Sequence, residues 1–135
     1  LPVKQHRTKT TNRYFNYIYV RMGAHTLIHK RTEDDIWKNL FELPLVETEK
    51  DLSEEEFLAC PQFHALFAEG EVRMVRTLLR GVKHVLSHRV IYTNFYEVTL
   101  PDNSSFFSSY QRVAVEDLGR YAVPRLIHAF LEKYV

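Results

Sequence analysis

Residues 82–100, VKHVLSHRVIYTNFYEVTL, form the densest stretch of β-branched and aromatic side chains in the chain. Such residues pack well on a pleated surface and lose side-chain freedom in a helix, so the run predicts strand structure. Polar residues at 87–89 interrupt it and predict a bend or bulge there. A run of this kind needs neighbouring strands. RYFNYIYVRM predicts one over residues 14–21. Gly23-Ala24-His25 supplies a turn, and residues 26–31 are expected to return as the second arm of a hairpin. Residues 40–47, LFELPLVE, make a third apolar run, which Pro44 assigns to an edge or a strand end. VRMVRTLL reads as a short strand, and YQRVAVEDL as one more, ending near Glu116.

Helices are signalled separately. Ser53 with Glu56 three residues on is a capping box, which starts a helix running to about Ala59. Pro61 breaks or restarts it, and residues 62–67 continue in helical period. Near the C-terminus Val123, Leu126, Ile127, Phe130 and Leu131 keep the spacing of an amphipathic helix. Pro124 is expected in its first turn, where a missing N–H costs nothing. Residues 32–39 read as a loop anchored by Ile36 and Trp37, and PDNSS as a turn. Lys4, His6, Arg7, Lys9 and Arg13 make the N-terminal segment basic, and residues 1–12 read as a linker or arm ahead of a single domain over residues 13–135. The order of elements gives an α+β domain, a mixed or antiparallel sheet packed with two main helices.

At 135 residues the chain suits one core, and its net charge of +1 says little about partners. No stretch is apolar enough for a membrane span. A start at Leu1-Pro2-Val3-Lys4 suggests a fragment of something longer. Cys60 is the only cysteine, so this chain alone forms no intrachain disulfide, no four-cysteine zinc site and no iron–sulfur cluster. A small half-buried apolar role suits Cys60 best.

KHVLSH draws three chemical readings. His84 and His88 share the spacing of the zinc motif H-E-x-x-H, but the general-base Glu is missing, and no signal marks His29, His64 or Glu97 as a third ligand. Ser87 beside His88 lacks a nucleophile elbow, and adjacent strand residues point to opposite faces. Lys83, His84, Ser87, His88 and Arg89 gather cationic and hydroxyl groups at one bend, which suits phosphate oxygens and a base edge. Polar strand surface is the bland account of the same residues. Glu54–Glu56 reads as a solvated first turn facing the positive helix end, Tyr17 and Trp37 as core, and Arg125, His128 and Lys133 as solvated helix surface.

LPVK, RYFNYIYVR, HKRTEDDIWKNLFELPLVE, VKHVLSHRVI and YAVPRLIHAFL follow one another as in the C-terminal domain of MutY-type adenine DNA glycosylases, which the chain resembles over nearly its whole length. The resemblance implies a Nudix-like fold and a role in base-excision repair, reading 8-oxoguanine opposite adenine in double-stranded DNA. It also implies a bacterial, cytoplasmic, monomeric protein. The partner would be its own N-terminal catalytic domain, which would carry the catalytic acids and the 4Fe-4S cluster; this chain would hold no cofactor, metal or catalytic residue. The family's Phe-Ser-His reading triplet matches Leu86, Ser87 and His88, with Leu86 in place of the aromatic, and Lys83, His84 and Arg89 become candidates for the DNA backbone. The runner-up is a divergent Nudix-type nucleotide pyrophosphohydrolase. Against it, Pro44 does not run into Gly-Gly and SEEEFLAC lacks the R-E-x-x-E-E carboxylates that hold Mg²⁺. A protein-docking module is the third reading.

8-Oxoguanine carries an N7–H donor and an O8 acceptor where guanine offers only an N7 acceptor. The Ser87 hydroxyl can rotate to suit either base, so it discriminates weakly. A backbone N–H at Ser87 or His88 aimed at O8 discriminates better, because it is left without an acceptor on guanine. A phosphate beside His88 would favour a charged imidazole, so DNA affinity is expected to rise as pH falls from about 8 to about 6. Titration of one duplex across that range tests the point, and a flat profile removes His88 from the role.

Overall fold

In the computed structural model, which describes residues 11–67, 70–104 and 110–135, two parallel strands form the centre. β1 (Thr11–Arg21) pairs with β6 (Arg89–Thr99) along its whole length, from Thr11 opposite Arg89 to Arg21 opposite Thr99. β4 (Leu45–Thr48) flanks β1 and β5 (Met74–Leu86) flanks β6, both antiparallel, so the sheet runs β4-β1-β6-β5. A second sheet, β3 (Phe41–Glu42), β2 (His25–Lys30) and β7 (Gln111–Ala114), is antiparallel in the order β3-β2-β7. The expected mixed α+β architecture is therefore present.

Alternation along β1 explains the layers. Phe15, Tyr17 and Tyr19 enter one buried cluster with Ile91 and Phe95, whereas Ile18 and Val20 enter the other with Tyr96 and Val98. A strand buried on both faces reads as a continuous apolar run, which RYFNYIYV nearly is. On the first face lie the second sheet, through Ile28, Leu43 and Val113, and α3 (Arg125–Tyr134), whose Phe130 stacks on Phe95 at 4.2 Å. On the second face lie α1 (Glu54–Ala59) and α2 (Pro61–Leu66), with Phe57 stacked on Tyr96 at 4.5 Å.

Several elements differ from the sequence reading. Residues 26–31 do not return along β1, because β4 and β6 already occupy both edges of that strand. Only the Met22–His25 bridge joins them, and β2 turns into the second sheet at Gly23, whose φ is +60°. The 40–47 run splits at Pro44 into β3 and the edge strand β4, and the Pro44 carbonyl accepts from the Ile18 N–H at 2.9 Å. VRMVRTLL and the start of the 82–100 run are one strand, β5, continuous through two irregularities near Leu79 and Gly81. Gly81 takes a φ of +66° there and donates its N–H to Asn94 Oδ1 at 2.8 Å. The seventh strand stops at Ala114 and gives way to a 3-10 turn, Val115–Arg120. Pro124 caps α3 from outside its first turn, and residues 121–123 are not helical.

The capping box forms as read: Ser53 Oγ accepts from Glu56 N–H, and Glu56 Oε1 accepts from Ser53 N–H. Pro61 restarts the chain as α2, with half-buried Cys60 as its N-cap. Among the described residues no helix is long and apolar enough to cross a membrane. The basic residues at 4–9 lie outside the described residues, but Thr11 and Asn12, assigned to the arm, already pair with Arg89 and Val90.

Phe57 is fully buried between the sheet and the first two helices. Phe57→Ala should cost about 3–5 kcal/mol of stability by opening a cavity there. Urea unfolding should show a lower midpoint with an unchanged slope.

Candidate nucleic-acid interface

β5 and β6 form a long hairpin closed by a two-residue turn, with Leu86 opposite Arg89 and Ser87-His88 at the tip. The bend expected at residues 87–89 is this turn, so His84 and His88 do not share one strand face. Neither turn residue takes a positive φ. The turn is therefore not of the primed kind that matches strand twist. Ser87, His88 and Arg89 are exposed. Neither the Ser87 nor the His88 backbone N–H donates to another described residue. The turn is instead held through its carbonyl: His88 O accepts from Thr11 N–H at 3.1 Å and from Thr11 Oγ1 at 3.3 Å.

The other named residues divide between the two sheet faces. Cross-strand partners share a face, so Lys83 lies with Tyr92 and Tyr14 on the face that carries α1 and α2. His84 lies with Ile91 and Arg13 on the opposite side, half-buried, its ring 5.9 Å from Trp37. Leu86 is also half-buried on that side and packs on the core. The apolar side chain the tip exposes is its neighbour Val85, 66% accessible. The structure thus gathers Ser87, His88 and Arg89 at the tip, puts Lys83 behind them on one face, and packs His84 and Leu86 inward on the other.

A chain of ion pairs fixes the ground beneath His84. Arg13 donates to both oxygens of Asp35 at 2.8 and 2.9 Å and to both oxygens of Glu47 at 2.8 Å. Arg31 donates to Asp35 at 2.9 Å and to the buried Glu42 at 3.0 Å. Tyr17 donates to Glu42 at 2.6 Å, and burial together with that charge holds the Tyr17 hydroxyl well above its ordinary pKa. His29 Nε2 comes within 2.9 Å of Glu42 Oε2, at an angle that makes no hydrogen bond. The network pins the 32–39 loop, where Trp37 and Asn39 hold positive φ, and so seats Trp37 against Phe15 and His84. Sequence reasoning took Arg13 only as part of the basic N-terminal segment, whereas the structure pairs it with Asp35 and Glu47, and it passed over Tyr14, Val85 and Tyr92. Their signal is cross-strand register, visible only once β1 is known to lie parallel to β6.

The residues weighed as metal ligands stand apart. Glu97 pairs with Arg76 and Arg21, His64 sits on α2 beside Phe63, and no group of three His, Cys, Asp or Glu side chains gathers among the described residues. Glu54, Glu55 and Glu56 are all exposed in the first turn of α1, with Glu56 held in the capping box.

The family model described as NUDIX domain matches residues 16–133, so the chain belongs to that family. No curated protein matches the sequence. Among solved structures, the C-terminal domain of mouse MUTYH, determined in complex with human PCNA, matches with a TM-score of 0.67 at 15% identity, covering 90% of this chain and 86% of that one. RenU, a Nudix hydrolase from M. smegmatis, gives 0.63 at 11% identity over 93% and 83%. A MutT protein from Methanosarcina mazei Go1 gives 0.59 at 18% over 94% and 95%. At these identities the likeness shows the fold.

Hydrogen bonds from Arg13 hold the Asp35 carboxyl down at about 2. A carboxylate whose folded pKa is depressed stabilises the fold above its unfolded value near 4, and that contribution is lost as pH falls toward 2. Asp35→Asn should therefore be less stable than the parent at pH 6, and the gap should close between about pH 4 and pH 2 in urea titrations. A gap independent of pH would contradict the assignment.

Proposed function

We propose that this NUDIX-domain chain is a DNA-lesion recognition domain of the MutY type, reading 8-oxoguanine opposite adenine through the turn at Ser87-His88. One observation carries the reading: an exposed two-residue turn presents a hydroxyl, an imidazole and two backbone N–H donors that bond to no described residue, at the end of a rigid hairpin. A donor fixed by backbone geometry suits O8, and the Ser87 hydroxyl suits N7–H. The likeness to the C-terminal domain of mouse MUTYH supports it, as does the order of motifs along the sequence.

Arg89 at the tip and Lys83 behind it are placed for backbone phosphates, which position a protein on DNA without reading sequence. His84, seated on Trp37, serves by holding the hairpin just behind its tip, and Leu86 by anchoring its end in the core. The bases are read in the duplex with the chain's own N-terminal catalytic domain as the partner that performs excision.

The likeness to RenU and to MutT proteins favours a second reading, nucleotide pyrophosphate hydrolysis. That chemistry needs converging carboxylates for divalent ions. The three exposed glutamates of α1 do not offer them. Mg²⁺-dependent pyrophosphate release from 8-oxo-dGTP would establish the hydrolase and displace the first reading.

Equilibrium binding to two matched duplexes tests the proposal, one with 8-oxoguanine opposite adenine and one with guanine opposite adenine. Tighter binding to the oxidised duplex is expected, by roughly 5- to 150-fold for a backbone donor worth about 1–3 kcal/mol. Ser87→Ala should remove part of that preference and leave the part supplied by the backbone. Equal affinity for both duplexes would sink lesion reading by this chain.

A further inference from the structure

α1 and α2 cover only part of the sheet's second face. Under them lie Ile18, Val20, Tyr96 and Val98. One register step toward the tip, the buried Asn16 and Asn94 join side chain to side chain at 3.2 Å and form a polar seam. Beyond the seam the next row runs Lys83, Tyr92, Tyr14, Thr48 across all four strands, and the row after it Val85, Val90, Asn12.

Tyr14 and Tyr92 stack at 5.6 Å with ring planes 17° apart, and both stay half-exposed. Neither ring packs on either hydrophobic core. Two stacked aromatics that no core uses, next to a valine 66% exposed, form an apolar strip on open surface. Its charge setting has one sign along the hairpin: from Val72 to Tyr96 the sequence holds Arg73, Arg76, Arg80, Lys83 and Arg89 and no Asp or Glu. Glu97 and Asp51 engage Arg76 and Arg80, whereas Lys83 and Arg89 make no ion pair with any described residue. The carboxylate of Asp51 sits at the seam, accepting from Asn94 Nδ2 at 3.1 Å and facing Arg80 at 3.5 Å, whereas Glu47 lies on the other face of the sheet with Arg13.

Aromatic faces beside an unengaged cation match a nucleotide, a π-face joined to a phosphate. We propose that this row is a stacking platform for an unpaired nucleotide of the DNA strand, its base on the Tyr92–Tyr14 pair and its phosphate at Lys83, next to the base met by Ser87 and His88. The proposal rests on the DNA reading above. A base inside a duplex is already stacked on both sides, so the platform selects one that has lost a neighbour.

The probe is a dye-labelled single-stranded decadeoxyadenylate titrated with the whole chain at low salt. The chain should bind it, Tyr92→Leu should weaken binding about tenfold or more, and Tyr92→Phe, which keeps the π-face, should bind as the parent does. Lys83→Ala should lower the slope of log affinity against log salt by about 0.7, the value for one phosphate on a single strand. This arm stands even if Tyr92→Leu fails to fold, which its thermal transition will reveal. No binding of the decamer, or binding that Tyr92→Leu leaves intact in a folded variant, or an unchanged salt slope in Lys83→Ala, overturns the platform. The 8-oxoguanine preference and its response to Ser87→Ala are read on duplexes and report the tip alone, so the two ideas fail separately.

Discussion

β1 and β6 run parallel from Thr11 beside Arg89 to Arg21 beside Thr99, and the remaining architecture hangs on that ladder. Parallel neighbours cannot be joined by a tight turn, so everything between them in sequence must travel round the outside. The chain does this by laying β2 and β3 of the second sheet on one face and α1 and α2 on the other before β5 brings it back, and β7 completes that sheet after β6. Both central strands are thereby buried on two sides, which explains why their sequences tolerate so few charges away from the ends. Phe57 on Tyr96 and Phe130 on Phe95 clamp the same strand, β6, from opposite faces.

The two faces also treat charge differently. On the side of the second sheet, Arg13, Arg31, Asp35, Glu42 and Glu47 exchange bidentate contacts, and two cations share three carboxylates within a half-buried network. Such closed sets leave little net field. Near the tip, Lys83 on the face of α1 and α2 and Arg89 beside the turn make no ion pair with any described residue. A molecule with a net charge of only +1 therefore carries a locally cationic hairpin. Charge placement, more than total charge, decides which surface an anionic polymer meets first.

Much of this was legible in the residues. The capping box at Ser53 and Glu56, the break at Pro61, the edge assignment at Pro44 and the apolar spacing around Phe130 are local signals, and each leads to the element found. Strand pairing is not local. The turn at Gly23 reads as a hairpin because nothing near it tells that both edges of β1 are taken by strands far along the chain. The 3-10 turn after Ala114 likewise follows from where Leu118 must reach the core. At the candidate site the sequence offered Ser87, His88 and Arg89 as neighbours. It could not separate Lys83 from His84 by sheet face until β5 was known to be one unbroken strand into the turn. Tyr14 and Tyr92 lie far apart in sequence and meet only through the ladder.

The two hydrogen bonds from Thr11 to the His88 carbonyl sew the first residue of β1 to the far end of the hairpin. Whatever polypeptide is joined ahead of Thr11 is therefore leashed beside the exposed turn. Tension or reorientation in that leader bears on the turn before it reaches the core. The start of β1 and the tip of the hairpin act mechanically as one joint.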